Sequence, residues 1–246
     1  MALQTPIYLK RDKMRRKAIR VILEKFGRKY SSILGIDLSK GSPEEIFKWF
    51  LASIFFGAPL SETIAFKTYY EFEKEGLLSA KKIVKAGWNK LVEVLDRGSF
   101  TRLDFKTATK LLEVMGNLLT HYDGNIGLVY KEAINSKDLE KRLKELGKGI
   151  GNITVSIFLR DLRGIWAKAD SRPTPQVILA GENLGIIKER EPEEVLKELK
   201  KFWKKNKIKG KTFANFETAL LRIGKNYCRK NKCKICPLKN LCKKAG

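Results

Sequence analysis

The sequence predicts an all-α fold. Helix-start and helix-stop signals recur along the chain, β-branched alternation over a strand length is rare, and apolar-periodic segments repeatedly end at glycine. Ser42 is placed as an N-cap, with Pro43 at the first helical position and Glu45 three residues on. This is a capping-box pattern ahead of the apolar run "IFKWFLASIFF". A second helix is expected from Ser61 to Gly76. "SAKKIVKAG" and "WNKLVEVLDRG" read as two short helices closed by glycine. "RLDFKTATKLLEVMGNLLTHY" puts Leu103, Ala108, Leu111, Leu112, Met115, Leu118 and Leu119 at helical spacing, with His121 near the helix end as a C-terminal cap. "SKDLEKRLKEL" and "NITVSIFLRDLRG" flank a glycine-rich turn, and "EPEEVLKELKKFWKKN" and "KTFANFETALLRIGKNYC" complete ten or eleven helices. No internal repeat is present.

The 246 residues suffice for one large or two small domains, and a 43% hydrophobic fraction excludes general disorder. The charge is unusual. Lys+Arg number 51 against 27 Asp+Glu, a formal +24. Glutamine occurs only at positions 4 and 176, which fits a heat-adapted surface. Heat adaptation raises both signs of charge, however, so the basic excess implies a polyanionic partner, nucleic acid first. Seventeen of the basic residues lie in 197–246, against Glu198 and Glu217. No stretch reads as a signal peptide, and "WFLASIFFGAPL" is short of the ~20 residues that span a bilayer. A cytoplasmic protein with no membrane association is expected (nucleoid-associated in a prokaryote), and its cysteines are expected to stay reduced.

Two stretches carry chemistry. In "LKELGKGIGNITVSIFLRDL" (143–162) three glycines within five residues join two helices, so the backbone can approach whatever lies outside. The free amides and positive dipole end of the second helix then form a site for a phosphate oxygen. Ile150, between glycines, would anchor the turn. The pattern is that of a helix-hairpin-helix at 137–163, which grips a DNA backbone without reading its sequence. The plain alternative is a tight link between packed helices. Lys148, Gly149, Gly151, Asn152 and Thr154 are the candidate DNA contacts.

The second stretch is "CRKNKCKICPLKNLC", which holds all four cysteines: Cys228, Cys233, Cys236 and Cys242, spaced C-x4-C-x2-C-x5-C. Four thiolates this close can enclose one metal centre. Zinc sites usually show two C-x2-C knuckles, and only Cys233 and Cys236 make one here. Cysteine-only ligation at short irregular spacing also holds iron–sulfur clusters. Cluster, zinc and disulfides all remain open on spacing alone.

Together, "LGKGIGNIT", "IGKNYC" and "CKICPLKNLC" resemble the endonuclease III superfamily, the helix-hairpin-helix DNA glycosylases with a C-terminal iron–sulfur loop. The resemblance runs from about residue 40 to the end. It implies a two-lobed protein: a six-helix barrel at 41–165, and a discontinuous domain of 1–40 plus 166–246 carrying a [4Fe-4S] cluster on the loop 228–242. It further implies a monomer acting on double-stranded DNA with a damaged or mismatched base, flipped out into the groove between the lobes. Arg229, Lys230, Lys232 and Lys234 would meet DNA phosphates. The family usually places six residues between its first two cysteines, and this chain has four.

The family also places an aspartate in the loop after the hairpin. In "GIWAKADSRPTPQV" the single carboxylate is Asp170. It would stabilise positive charge on the sugar and deprotonate the attacking water. A turn or N-cap aspartate is the plain alternative. Family members that also cut the strand carry a nucleophilic lysine where this chain has Ile153, so a monofunctional glycosylase is expected. The alternatives are a bifunctional glycosylase and AP lyase using a non-standard lysine, Lys148 or Lys168, and a non-catalytic DNA-binding protein of the same fold. Phe55, Phe56 and Ile153 are candidates for the base pocket or a wedge, although Phe55 and Phe56 equally suit a core.

Overall fold

A computed structural model describes residues 19–188 and 191–242. The remaining parts of the expected domain 1–40 plus 166–246 lie outside the described residues. The chain is mostly helical, and among the described residues there is no strand, only an isolated bridge between Arg163 and Trp166. It divides into two compact units, Tyr30–Ser171 and the joined chain ends, Met1–Lys29 with Arg172–Gly246. The division falls at 29/30 and 171/172, where 41 and 165 were expected. At both places side chains draw extra residues into the first unit: Tyr30 and Ser31 bond to Glu62 and Asp161, and Arg163 holds Ser171.

Residues 19–26 are helical (α1). The unit Tyr30–Ser171 then contains α2 (Tyr30–Ile33), α3 (Pro43–Phe56), α4 (Glu62–Lys74), α5 (Ala80–Arg97), α6 (Asp104–Tyr122), α7 (Ile126–Glu132), α8 (Ser136–Glu145) and α9 (Asn152–Leu162). Ten of the fourteen residues of α3 are buried, so it is a central helix. Ser42 caps it as expected by accepting from the Glu45 amide, but the capping box is only half made. Glu45 turns to the Asp37 amide and to Lys48, and it is Glu44 that accepts from the Ser42 hydroxyl. The two short helices expected at 79–98 are both present within the span α5 and meet at a kink at Gly87, whose φ of 75° and ψ of 170° are non-helical. Helix α6 buries Ala108, Leu111, Met115 and Leu118 of its expected apolar stripe.

Helix α9 is buried along nine of its eleven residues. Trp49 of α3 donates its indole N–H to the Phe158 carbonyl at 3.0 Å. Gly57, just after α3, abuts Thr154 so closely that a Cβ there would sit 2.2 Å from the Thr154 hydroxyl oxygen. At its other end α9 carries two buried charges. Asp161 accepts from the Ser31 hydroxyl at 2.9 Å, the Ser31 amide at 3.3 Å and Arg160 Nε at 3.3 Å. The Arg160 guanidinium lies 5.4 Å over the Tyr30 ring, and its two terminal nitrogens have no hydrogen-bond partner.

The other unit contains α1, α10 (Pro175–Asn183), α11 (Pro192–Lys205), α12 (Phe213–Ile223), a π-helical turn (Gly224–Cys228) and 3-10 turns at Cys233–Ile235 and Lys239–Leu241. The two chain ends are tied together by side chains of α12 that satisfy carbonyls just beyond or at the end of α1. Asn215 Nδ2 donates to the Gly27 carbonyl at 2.8 Å, and Arg222 Nη1 donates to the Phe26 and Arg28 carbonyls at 2.9 and 2.8 Å. Phe216 of α12 stacks on Phe202 and Trp203 of α11. A Cβ at Gly224 would fall 1.9 Å from the Gln176 carbonyl oxygen, so α10 crosses here at a separation only glycine allows.

The Asp161→Ala substitution strands the Arg160 charge in the core. It is expected to lower unfolding stability by about 3–5 kcal/mol, measured by chemical denaturation. A loss under ~1 kcal/mol would contradict the buried-pair account.

Candidate functional site

The hairpin lies between α8 and α9. Ile150 is buried, as its place between glycines required, while Lys148, Gly149, Gly151, Asn152 and Ile153 face outward. Gly147 is there for space, and Gly149 for its positive φ, its near neighbour being only the flexible end of a lysine. At Gly147 a Cβ would lie 2.8 Å from Val114 Cγ2, and at Gly149, where φ is +89°, it would lie 2.6 Å from Lys110 Cε. Both neighbours belong to α6. The same helix supplies Glu113, whose Oε1 accepts from the Lys148 amide at 3.0 Å, and Asn117, whose Nδ2 donates to the Leu146 carbonyl at 3.0 Å. The turn is therefore clamped to α6. Gly151 caps α9 without a side chain, which leaves the first amides of α9 at the outer face.

Three expected site residues are placed differently. Thr154 is buried against Gly57, so its hydroxyl is not presented to DNA. Phe55 is fully buried between Phe72 and Phe100. Phe56 stacks on Tyr30 at 4.7 Å and meets Phe66 edge-on. Both phenylalanines lie in the core of the helical unit and are not a wedge, because nearly every side of α3 is covered.

Asp170 sits at the end of the loop that follows α9. Its side chain is 41% exposed, while that of Arg163 is 4% exposed. Arg163 donates from Nη1 to the Ala169 carbonyl at 3.1 Å and to Asp170 Oδ1 at 3.3 Å, and from Nη2 to the Ser171 carbonyl at 2.7 Å. One buried guanidinium thus grips the backbone on both sides of Asp170 and points its carboxylate outward. Asp170 does not cap the next helix; Thr174 holds that position. The rest of the loop is pinned as well. Trp166 stacks on Tyr130 at 4.5 Å, and the Ala167 amide donates to the Tyr130 hydroxyl at 3.3 Å. Lys168 Nζ donates to the Ala133 carbonyl at 2.5 Å and lies 4.4 Å over the Tyr130 ring.

In the other unit, the π-helical turn delivers Cys228, and the 3-10 turns carry the chain through Cys233 and Cys236 to Cys242. Among the described residues no disulfide joins the four cysteines. Burial pushes the Cys236 thiol above its ordinary range, the Leu238 amide donating to it pulls it back, and Cys228, Cys242 and Cys233 add to the rise. The thiols are thus within electrostatic reach of one another. Among the described residues no three His, Cys, Asp or Glu side chains gather closely enough to hold one metal ion. Arg229, Lys230, Lys232 and Lys234 are all exposed around this loop.

Arg163, Glu113 and Lys110 were not anticipated. Arg163 carried a faint signal, a basic residue at the end of an apolar helix just before the loop. Glu113 and Lys110 carried none, since their contacts arise from packing across more than thirty residues.

The Arg163→Met substitution keeps the bulk of the side chain but leaves two buried carbonyls without a donor. It is expected to cost about 3 kcal/mol and to open 164–172 to limited proteolysis. Asp170→Asn, on an exposed side chain, should stay within ~0.5 kcal/mol of the parent by thermal denaturation. Searches of protein-family models and of curated proteins find no match for this chain.

Proposed function

We propose that the protein is a base-excision DNA glycosylase, a relative of endonuclease III, that hydrolyses the N-glycosidic bond of a damaged or mismatched base flipped from duplex DNA. One observation carries the reading. A single buried helix, α9, starts at an outward-facing glycine hairpin and leads into a loop where buried Arg163 holds Asp170 towards solvent. The hairpin supplies a backbone-phosphate site and the loop a fixed carboxylate.

In this reading Asp170 takes a proton from water. The water oxygen bonds to C1′ as the glycosidic bond breaks, and the base leaves with the bonding electron pair. The carboxylate also stabilises the oxocarbenium-like charge on the sugar. Hydrolysis is favoured over a nucleophile at position 153 or at Lys168 by two observations. Ile153 holds the exposed position at the start of α9, and the Lys168 ammonium is committed to the Ala133 carbonyl and the Tyr130 ring.

The cysteine loop is read as a [4Fe-4S] site from its donor chemistry alone, four thiols in one short segment with an amide donating to the most buried sulfur, since among the described residues its side chains are not gathered around a metal position. Such a cluster would hold the loop in shape and present Arg229, Lys230, Lys232 and Lys234 to phosphates.

Duplexes carrying uracil, hypoxanthine, oxidised or alkylated bases should include at least one whose base is released, with strand cleavage only after alkali. Asp170→Asn should slow that release by about 100- to 10,000-fold, and borohydride should trap no covalent complex. Release unchanged in the Asn variant would overturn the site. Protein purified without oxygen should contain iron and acid-labile sulfide at about four each per chain; zinc alone would overturn the cluster.

A further inference from the structure

The helix that clamps the hairpin also carries features the glycosylase reading leaves unused. Two rows run side by side along α6. One holds Phe105 and Thr109, the other Lys106 and Lys110, and the second row ends against Gly149 of the hairpin. Phe105 is 60% exposed and Trp88 of α5 is 38% exposed. Their rings pack 5.3 Å apart at an angle of 39°, and the Trp88 indole donates to the Thr109 hydroxyl at 3.1 Å. The bend at Gly87 immediately precedes Trp88 in α5. Two large rings held at the surface by a hydrogen bond make a fixed platform.

Beside this platform lies charge without compensation. Lys110 is half-buried, its ammonium is held below lysine's usual range by burial and by Lys106, and among the described residues neither lysine has a hydrogen bond or ion pair. Other basic side chains in this unit are drawn into carboxylate networks, as Arg97 is with Glu71, Glu75 and Glu93. Two neighbouring cations left unpaired at a clamped glycine turn attract an anion, and an aromatic platform one turn away attracts a base. Along the helix axis Phe105 and Lys110 are about 7.5 Å apart.

We propose that this face of α5 and α6 binds a single-stranded DNA segment continuing from the duplex held at the hairpin, with Lys106 and Lys110 on a backbone phosphate and Trp88 and Phe105 stacking an unpaired base. Aromatic stacking tolerates any base and lysines read only phosphate, so the site is sequence-independent. The inference rests on the hairpin as a DNA-binding element and not on catalysis by Asp170.

The test uses the full chain and fluorescent DNA in an anisotropy titration. A blunt undamaged duplex is compared with the same duplex carrying an eight-thymidine overhang at its 3′ or 5′ end. One overhang should tighten binding by about 5- to 100-fold. Phe105→Ala should remove most of that gain, Phe105→Tyr should keep it, and Lys106→Gln with Lys110→Gln should flatten its salt dependence by about 0.7 in log–log slope per phosphate lost. Phe105 is exposed, so its variants test the platform without disturbing the core. Duplex binding with no gain from either overhang overturns this inference alone. No binding to any duplex overturns both it and the hairpin reading. A gain that survives Phe105→Ala, or a concentration-dependent dimer abolished by Phe105→Ala in sedimentation, also overturns it, the latter by assigning the face to a second copy.

Discussion

The helical unit Tyr30–Ser171 is organised around one constraint: α9 must keep an arginine and an aspartate in an apolar interior. Arg160 and Asp161 are each about 1% exposed. Burying either charge alone would cost several kcal/mol, so the helix is stable only in the register that brings Asp161 to Ser31 and Arg160 over Tyr30. A slide along the helix axis would break both arrangements. With that register fixed, the ends of α9 are fixed too. Gly57 packs against its start at Thr154 and Trp49 bonds to its second half at Phe158, and the hairpin before it faces outward. Its end delivers Arg163, the residue that sets the loop carrying Asp170.

Much of this was legible in the sequence because it is local. The caps at Ser42 and Ser61, the apolar stripe of α6 and the anchor at Ile150 each follow from residues within a few positions of one another. The unforeseen parts are long-range. Helix α7 is only seven residues long, too short to show a period, and α10 opens at Pro175 inside a stretch that reads as loop. Phe55 and Phe56 sit beside a turn where a probing residue would serve, and only the packing around α3 shows them to be core. Asp170 could be picked out as the loop's single carboxylate, but not its exposure. That depends on Arg163 gripping the carbonyls at 169 and 171, and carbonyls carry no sequence signal.

The basic excess is not spread evenly in its effect. Where carboxylates are near, as around Arg97 and Arg142, cations are neutralised in small networks. At the cysteine loop Arg229, Lys230, Lys232 and Lys234 stand exposed within a few residues, and at the hairpin Lys106 and Lys110 are left uncompensated. Neighbouring like charges repel, so holding them together requires rigid supports. The supports here are a π-turn and 3-10 turns in one unit and the buried helices in the other.

The π-turn before Cys228 has a consequence for how the cysteine spacing is compared. From Gly224 to Cys228 the backbone winds with hydrogen bonds five residues apart, the Arg229 amide reaching the Gly224 carbonyl at 2.9 Å. A wider turn holds more chain per revolution, so Cys228 leaves the helix at a different angular phase from an α-helix of equal length. The direction of the first thiol is therefore set by the winding before Cys228 as well as by the interval of four that follows it. Deleting one residue within 224–227 would leave all four cysteines and their intervals intact, yet would restore α-helical winding and turn the first thiol to a new direction.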